Sequence, residues 1–391
     1  MYKLASTTWG KEEIEIATEL LTSNNLSMGK HVKEFELQFA KYIGTKYAVM
    51  FNSGSSANLG MFTALKYVKN SRIFEGDNII VPAVSWSTTY FPITQNGFVL
   101  NFVDIDINTL NIDVQKIEDA INPKTKAIFA VNLLGNPANL LELEKLAKKH
   151  NLILLEDNCE SLGASIDSKM AGSFGQASSH SFFFSHHICT MEGGMVNTDS
   201  KELMETLVSI RAHGWTRGLE PKNSVFPLTD NKWEDLFRFV LPGYNLRPIE
   251  LSGALGITQL KKFPNFLSQR RQNARYFCDK FSKSENYKIQ IQSGNSSWFG
   301  FSIILQNKLK GMRKDIIELL SNNDIETRPI VAGNFTLNPV MKHLKYINLP
   351  ALPAADLVHT EGFFIGNHHF DVTEDIDDIF SLLKDFESER V

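Results

Sequence analysis

Residues 127–157 read AIFAVNLLGNPANLLELEKLAKKHNLILLED. Ala127–Val131 is a short apolar run that reads as a strand, Leu140–Lys149 carries helical periodicity, and Leu152–Leu155 is strand-like again. The residues before it repeat this order, with a strand over Phe98–Val103 and a helix over Val114–Ile121. Strands alternating with helices imply βαβ units and a mostly parallel sheet. Ligands of such sheets sit at the carboxyl ends of the strands. The acids directly past Leu155, in Glu156-Asp157-Asn158-Cys159-Glu160, are therefore the first candidates for a site.

Toward the N-terminus, residues 10–43 predict two helices. In the second, Val32, Phe35, Phe39 and Ile43 recur at helical spacing, and Gly44 closes it. A strand over Tyr47–Phe51 is followed by the small-residue turn Asn52-Ser53-Gly54-Ser55-Ser56-Ala57-Asn58 and a helix over Leu59–Val68. A strand, such a turn and a helix start make an anion site, because free backbone N–H groups and the helix dipole both favour a phosphate. Ser and Gly also make ordinary turns and caps. Asn78–Val81 predicts another strand, and the loop after it carries Trp86, an aromatic ring that could stack on a flat ligand or fill the core.

Toward the C-terminus, Ser181–Phe184 is an apolar run read as a buried strand. It is followed by Ser185-His186-His187 and the turn Glu192-Gly193-Gly194. Neighbouring side chains on an extended segment point to opposite faces, and no ligand-spaced Cys/His/Asp cluster accompanies the two histidines, so no metal is expected. Lys201–Arg211 predicts a surface helix, and residues 212–240 a long loop of the kind that is often functional. A helix starts near Ile249. A long helix over Asn265–Phe281 then opens a smaller α+β segment, with strands over Trp298–Leu305 and Ile325–Ile330 and helices over Arg313–Leu320 and Ile376–Phe386. The expected division is a large domain over residues 1–262 and a small one over 263–391.

The 391 residues, 43% hydrophobic and 21% charged, suit an ordinary globular protein of two or three domains. A net charge of −4 argues against nucleic-acid or anionic-membrane partners. No apolar run approaches the ~18 residues of a membrane span, and the first ten residues lack a signal-peptide core; a cytoplasmic location is expected. Cys159, Cys189 and Cys278 make neither a disulfide framework nor the four ligands of an ordinary iron–sulfur cluster.

Taken together, these stretches resemble the sugar aminotransferases of the DegT/DnrJ/EryC1/StrS type, which use pyridoxal phosphate (PLP). The family pattern Ser-Phe-aromatic-x-x-Lys matches Ser181, Phe182 and Phe183, except that position 186 is histidine. A lysine amine forms a Schiff base with the cofactor and an imidazole cannot, but an imidazole still moves protons near neutral pH. The Ser-Phe-aromatic-x-x-His-His form is similar to the family's histidine branch, the sugar 3-dehydratases. The resemblance implies an aspartate-aminotransferase-like α/β fold (PLP fold type I). It implies a phosphate cup at Gly54, Ser55 and Ser181, and Trp86 over the ring. Asp157 is expected on the pyridine nitrogen, and Glu160 falls where aminotransferases carry glutamine. From Gly243-Tyr244-Asn245-Leu246-Arg247 it implies a homodimer in which Asn245 reaches the neighbouring subunit's phosphate.

The resemblance further implies a PLP/PMP-dependent 3-dehydratase (PMP, the pyridoxamine form) acting on a nucleotide-linked 4-keto-6-deoxy sugar, GDP-linked by preference. L-glutamate restores PMP, and His186 is the catalytic acid–base. Arg328 and His368 are candidate substrate contacts. The alternatives are an aminotransferase with a displaced lysine (Lys169 or Lys201), an iron–sulfur 3-dehydrase, and a non-enzymatic PLP-binding regulator.

Overall fold

The computed structural model describes residues 1–24, 26–229, 231–347 and 349–390. Among the described residues thirteen strands occur in chain order: β1 Tyr47–Phe51, β2 Asn78–Pro82, β3 Val99–Val103, β4 Thr125–Val131, β5 Ile153–Asp157, β6 Ser165–Ile166, β7 Lys169–Met170, β8 Ala177–Ser181, β9 Gly194–Thr198, β10 Tyr287–Ile289, β11 Gly300–Leu305, β12 Thr327–Arg328 and β13 Gly362–Gly366. Seven form the central sheet in the order β1-β9-β8-β5-β4-β2-β3. The block β8-β5-β4-β2-β3 is parallel, and β9 lies antiparallel between β8 and β1. The expected mostly parallel α/β sheet is thus present, with one reversed strand.

The sheet is buried on both faces. Phe51, Phe62, Ile79, Phe98, Leu100 and Phe129 belong to one core cluster, and Ile80, Ile128, Leu143 and Leu154 to another. That is why its strands read as near-continuous apolar runs. The amphipathic helix Leu140–Lys149 falls where the periodicity put it, capped by the Asn139 side chain.

β8 is a different case. Its sequence, Ala-Ser-Ser-His-Ser, is polar although Ala177–His180 are buried, and the apolar run Ser181–Phe184 is not the strand. Only Ser181 belongs to β8; Phe182 is buried, while Phe183 and Phe184 leave the sheet and are exposed. Phe182 packs edge-on between Phe35 and Phe39 of helix Lys30–Ile43. This anchors the segment that carries His186.

A second, four-stranded antiparallel sheet has the order β10-β11-β13-β12. Helices Arg313–Asn322 and Thr373–Arg390 accompany it. Its core of Phe277, Phe301, Ile303, Leu320, Ile365 and Leu383 is separate from the central one and includes Tyr2 from the far end of the chain. The two helices read near Ile249 and Asn265 are one, Glu250–Phe281, of 32 residues with Pro264 inside. It spans about 48 Å at 1.5 Å per residue. The strand read over Ile325–Ile330 shortens to β12, because Pro329 has no N–H to continue a ladder. Among the described residues no helix is long and apolar enough to cross a membrane.

Candidate active site

Six strands of the central sheet end on one side, and residues at or just past the ends of five of them line a cavity of about 1110 Å³. Past β1 stand Ser53, Gly54 and Ser55; past β2, Ser85 and Trp86; at β4, Val131; at and after β5, Asp157, Cys159 and Glu160; at β8, Ser181. His186, Arg328 and Phe299 complete the lining used below. Of the sequence-selected residues, Gly54, Ser55, Trp86, Asp157, Glu160, Ser181, His186 and Arg328 are brought together. Asn245 and His368 are not.

The turn after β1 starts a helix earlier than its apolar pattern suggests. The helix runs Gly54–Tyr67, with the Ser53 hydroxyl accepting from the Ser56 N–H. Gly54 sits tight against β8: a Cβ there would lie 2.5 Å from the Ser181 Cβ and 3.1 Å from the Cys159 sulfur. The first-turn amides therefore open onto the cavity beside two hydroxyls, Ser55 and Ser181. Ser55 also donates to Thr88, 3.0 Å away. Trp86 is 57% exposed and faces this space, so it is not a core residue.

Asp157 ends β5 and is buried. Three donors converge on its carboxyl: the Asn58 side-chain amide at 3.1 Å, the Thr89 hydroxyl at 2.9 Å and the Cys159 N–H at 3.1 Å. Asn58 and Thr89 were missed in the sequence. Asn58 lies one helical turn beyond Ser55 and so shares its face, which was the available signal.

His186 donates its Nδ1–H to the Cys159 carbonyl at 2.5 Å. A carbonyl can only accept, so this contact fixes the neutral tautomer and leaves Nε2 as the lone-pair nitrogen. The ring packs against Phe183 and Phe299, and burial holds the imidazole down to about 4. At neutral pH it is an uncharged base. His187 points the other way, into the interior, where its Nε2–H donates to the Ser297 carbonyl at 3.1 Å. Glu160 accepts the Leu134 N–H at 2.9 Å. Burial first, and the nearby Asp157 charge second among the raising effects, push its carboxyl up to about 7.

Neither lysine considered as a displaced anchor is at the site. Lys169 lies over the Phe174 ring and Lys201 pairs with Glu205. Asn245 is exposed outside the cavity, accepting from the Arg247 guanidinium at 3.0 Å. His368 is buried; Ser6 donates to its Nδ1 and its Nε2–H donates to the Lys3 carbonyl, both at 2.9 Å. With both ring nitrogens engaged it has none to offer a ligand. The N-terminal stretch Lys3–Thr7, which also lines the cavity, was invisible to the sequence reading.

A helix start with adjacent hydroxyls, an exposed indole, a fixed buried carboxyl and a neutral imidazole form a coherent donor set. They fit a flat, anionic heteroaromatic ring bearing a basic nitrogen. Among the described residues no cluster of His, Cys, Asp or Glu could hold a metal ion.

A family model described as the DegT/DnrJ/EryC1/StrS aminotransferase family matches residues 7–384. The chain is 50% identical over 385 residues to GDP-4-keto-6-deoxy-D-mannose 3-dehydratase of Escherichia coli O55:H7, covering 98% of this chain and 99% of that one. Its structure is similar to the E. coli enzyme of that name with bound hydrated PLP, at a TM-score of 0.96 and 50% identity, covering 98% of this chain and 99% of the other. It is equally similar, again at a TM-score of 0.96 and 50% identity over 98% and 100% of the two chains, to a GDP-4-keto-6-deoxymannose-3-dehydratase holding a trapped PLP–glutamate geminal diamine. The cavity, the sheet that builds it and these matches along nearly the whole chain agree: the chain belongs to the DegT/DnrJ/EryC1/StrS aminotransferase family.

Proposed function

We propose that this chain is a PLP/PMP-dependent 3-dehydratase that removes the C3 hydroxyl of a GDP-linked 4-keto-6-deoxy sugar, with L-glutamate restoring the amine form of the cofactor and ammonia released. The observation that carries the reading is His186. It stands where the family's lysine would be, with one ring nitrogen tied to the Cys159 carbonyl and the other free to take a proton. The 50% identity to a GDP-sugar 3-dehydratase supports the substrate, and the PLP–glutamate structure of a relative supports the amino donor.

The cofactor, when bound, supplies an amine that can condense with a ketone and a ring that can accept electrons. The chain's own groups do the rest. Gly54, Ser55 and Ser181 would hold the phosphate at the helix start, and the Trp86 indole would offer the ring a face to stack on. Asp157, fixed by Asn58 and Thr89, keeps a proton on the ring nitrogen. His186 Nε2 would be the base that accepts a proton at the carbon next to the ring and the acid that delivers one to the departing C3 hydroxyl. Glu160, where relatives that transaminate carry glutamine, places a titratable carboxyl beside that exchange.

A large unit over residues 1–262 and a small one over 263–391 stay part of the proposal; the core cluster of Phe277, Phe301 and Leu383 supports a second unit, although the helix Glu250–Phe281 runs across the boundary and Phe335 and Phe364 pack into the central core. A homodimer is part of the proposal, with Asn245 completing the phosphate site of a second copy. Exposed Trp233, Phe237 and Phe239 in the stretch preceding Asn245 support an interface on that face.

The test is a panel of 4-keto-6-deoxy sugar nucleotides incubated with the protein, PLP and L-glutamate. The GDP-linked sugar should be consumed with release of ammonia and 2-oxoglutarate. Formation of a 4-amino sugar instead would identify an aminotransferase and overturn the proposal.

A further inference from the structure

The N-terminal strap is bolted to the second sheet. Tyr2 bridges Ile325 in parallel register: its N–H donates to the Asp324 carbonyl at 2.8 Å, and its carbonyl accepts from the Glu326 N–H at 2.9 Å. The Tyr2 hydroxyl donates to the Gly366 carbonyl at 2.6 Å, and the Leu4 N–H to the Glu326 carboxylate at 2.9 Å. His368 then clamps the strap from behind through Ser6 and the Lys3 carbonyl. Gly366 permits this approach, since a Cβ there would collide with the Lys3 and Leu4 carbonyls. These contacts fix the backbone of the strap.

That fixed strap places Lys3 on the cavity wall, and β12 places Arg328 on the same wall. Both side chains are exposed. Neither has an ion-pair partner among the described residues, and the hydrogen bond that Arg328 makes goes to the carbonyl of Thr327 beside it. The Glu326 carboxylate lines the same cavity but is turned to the Leu4 N–H, and two cations outside any ion pair beside it favour a ligand group carrying more than one negative charge. The cavity, at about 1110 Å³, exceeds the roughly 300–1,000 Å³ that encloses one drug-sized ligand. It has room for a second anionic molecule next to the cofactor.

We infer that Lys3, held in place by the His368 clamp, and Arg328 form the diphosphate subsite of this cavity, so that the N-terminal strap selects nucleoside-diphosphate substrates. This rests on the proposed dehydratase reading for its substrate class. The recognition itself needs only a pyrophosphate, and GDP alone serves as its probe.

The experiment compares wild-type holoenzyme with Lys3→Ala and Lys3→Arg. GDP and GMP binding are followed by calorimetry, and kcat and KM are measured for the GDP-sugar and for L-glutamate. Loss of one charge-assisted contact corresponds to about a tenfold change. Lys3→Ala should weaken GDP binding and raise the KM of the sugar nucleotide by about that factor. It should leave kcat, the KM for glutamate and GMP affinity nearly unchanged, and Lys3→Arg should restore most of the loss. Unaltered GDP affinity in Lys3→Ala overturns the inference, as does a fall in kcat alone, which would place Lys3 in the chemistry instead. Absence of GDP binding by the wild-type protein overturns it too. GDP binding that is weakened in Lys3→Ala, in a protein that turns over no 4-keto sugar, would sink the dehydratase reading and leave the subsite standing.

Discussion

His186 differs from an ordinary buried histidine in having one nitrogen committed and one available. The Cys159 carbonyl selects the tautomer, and Phe183 and Phe299 confine the ring. His186→Asn keeps a polar group of similar size but removes the lone-pair base. It should lower kcat by ~100-fold or more, the range typical of general acid–base groups, while PLP affinity, which the proposal assigns to Gly54, Ser55, Ser181 and Asp157, holds. Rapid kinetics and a PLP titration separate the two, and undiminished turnover would refute the assignment. His186→Lys restores an amine at the family's lysine position. The protein with PLP should then acquire a visible absorption band that survives dialysis; if none forms, position 186 does not face the ring.

The helix Gly54–Tyr67 is the element on which the proposed phosphate cup depends most directly. Its first turn approaches β8 so closely that any side chain at Gly54 meets the Ser181 Cβ, a backbone-linked atom that cannot swing aside. Gly54→Ala should therefore shift the helix start away from β8 and open the phosphate cup. A tenfold or greater loss of PLP affinity is expected, with ~1–3 kcal/mol of destabilisation from overpacking. Titration by absorbance and a melting curve measure both, and wild-type values in each would show that the cup is not built here.

The same element shows what a sequence reading can reach. Ser53, Gly54 and Ser55 were legible because a turn between a strand and a helix is a local pattern. Asp157 was legible as an acid at a strand end, whereas Trp86 and His186, which lie in loops beyond β2 and β8, took their roles from the resemblance. β8 was hidden because its Ser178, Ser179 and His180 are buried polar residues with no apolar alternation to mark them. The strap was hidden because its partners, Asp324, Gly366 and His368, lie more than 300 residues away.

At the scale of the whole molecule, burial of neutral histidines couples folding to pH. Burial depresses His180 to about 3, His186 and His368 to about 4, and His187 well below its ordinary value. In the unfolded chain each titrates near 6.5, so below that pH the unfolded state binds protons that the folded state refuses. Stability from these groups is complete above about pH 6.5 and is lost as pH falls toward 4. Glu160, raised to about 7, and the buried Glu156, also raised, act in the opposite sense: the folded state keeps their protons where the unfolded chain has lost them. Four histidines outweigh two carboxyls, and each net proton contributes a slope of about 1.4 kcal/mol per pH unit. The urea midpoint of the cofactor-free protein should therefore fall between pH 7 and pH 5.5, with net proton uptake on unfolding at pH 5.5. A midpoint that stays level or rises over that interval would mean that the buried imidazoles do not control acid stability. The clamp on the strap shares this sensitivity, because a protonated His368 can no longer accept from Ser6. GDP affinity should decline over the same acid limb as the fold loosens, and His368→Gln, which offers an amide to the Lys3 carbonyl without a titrating ring, should flatten that part of the decline.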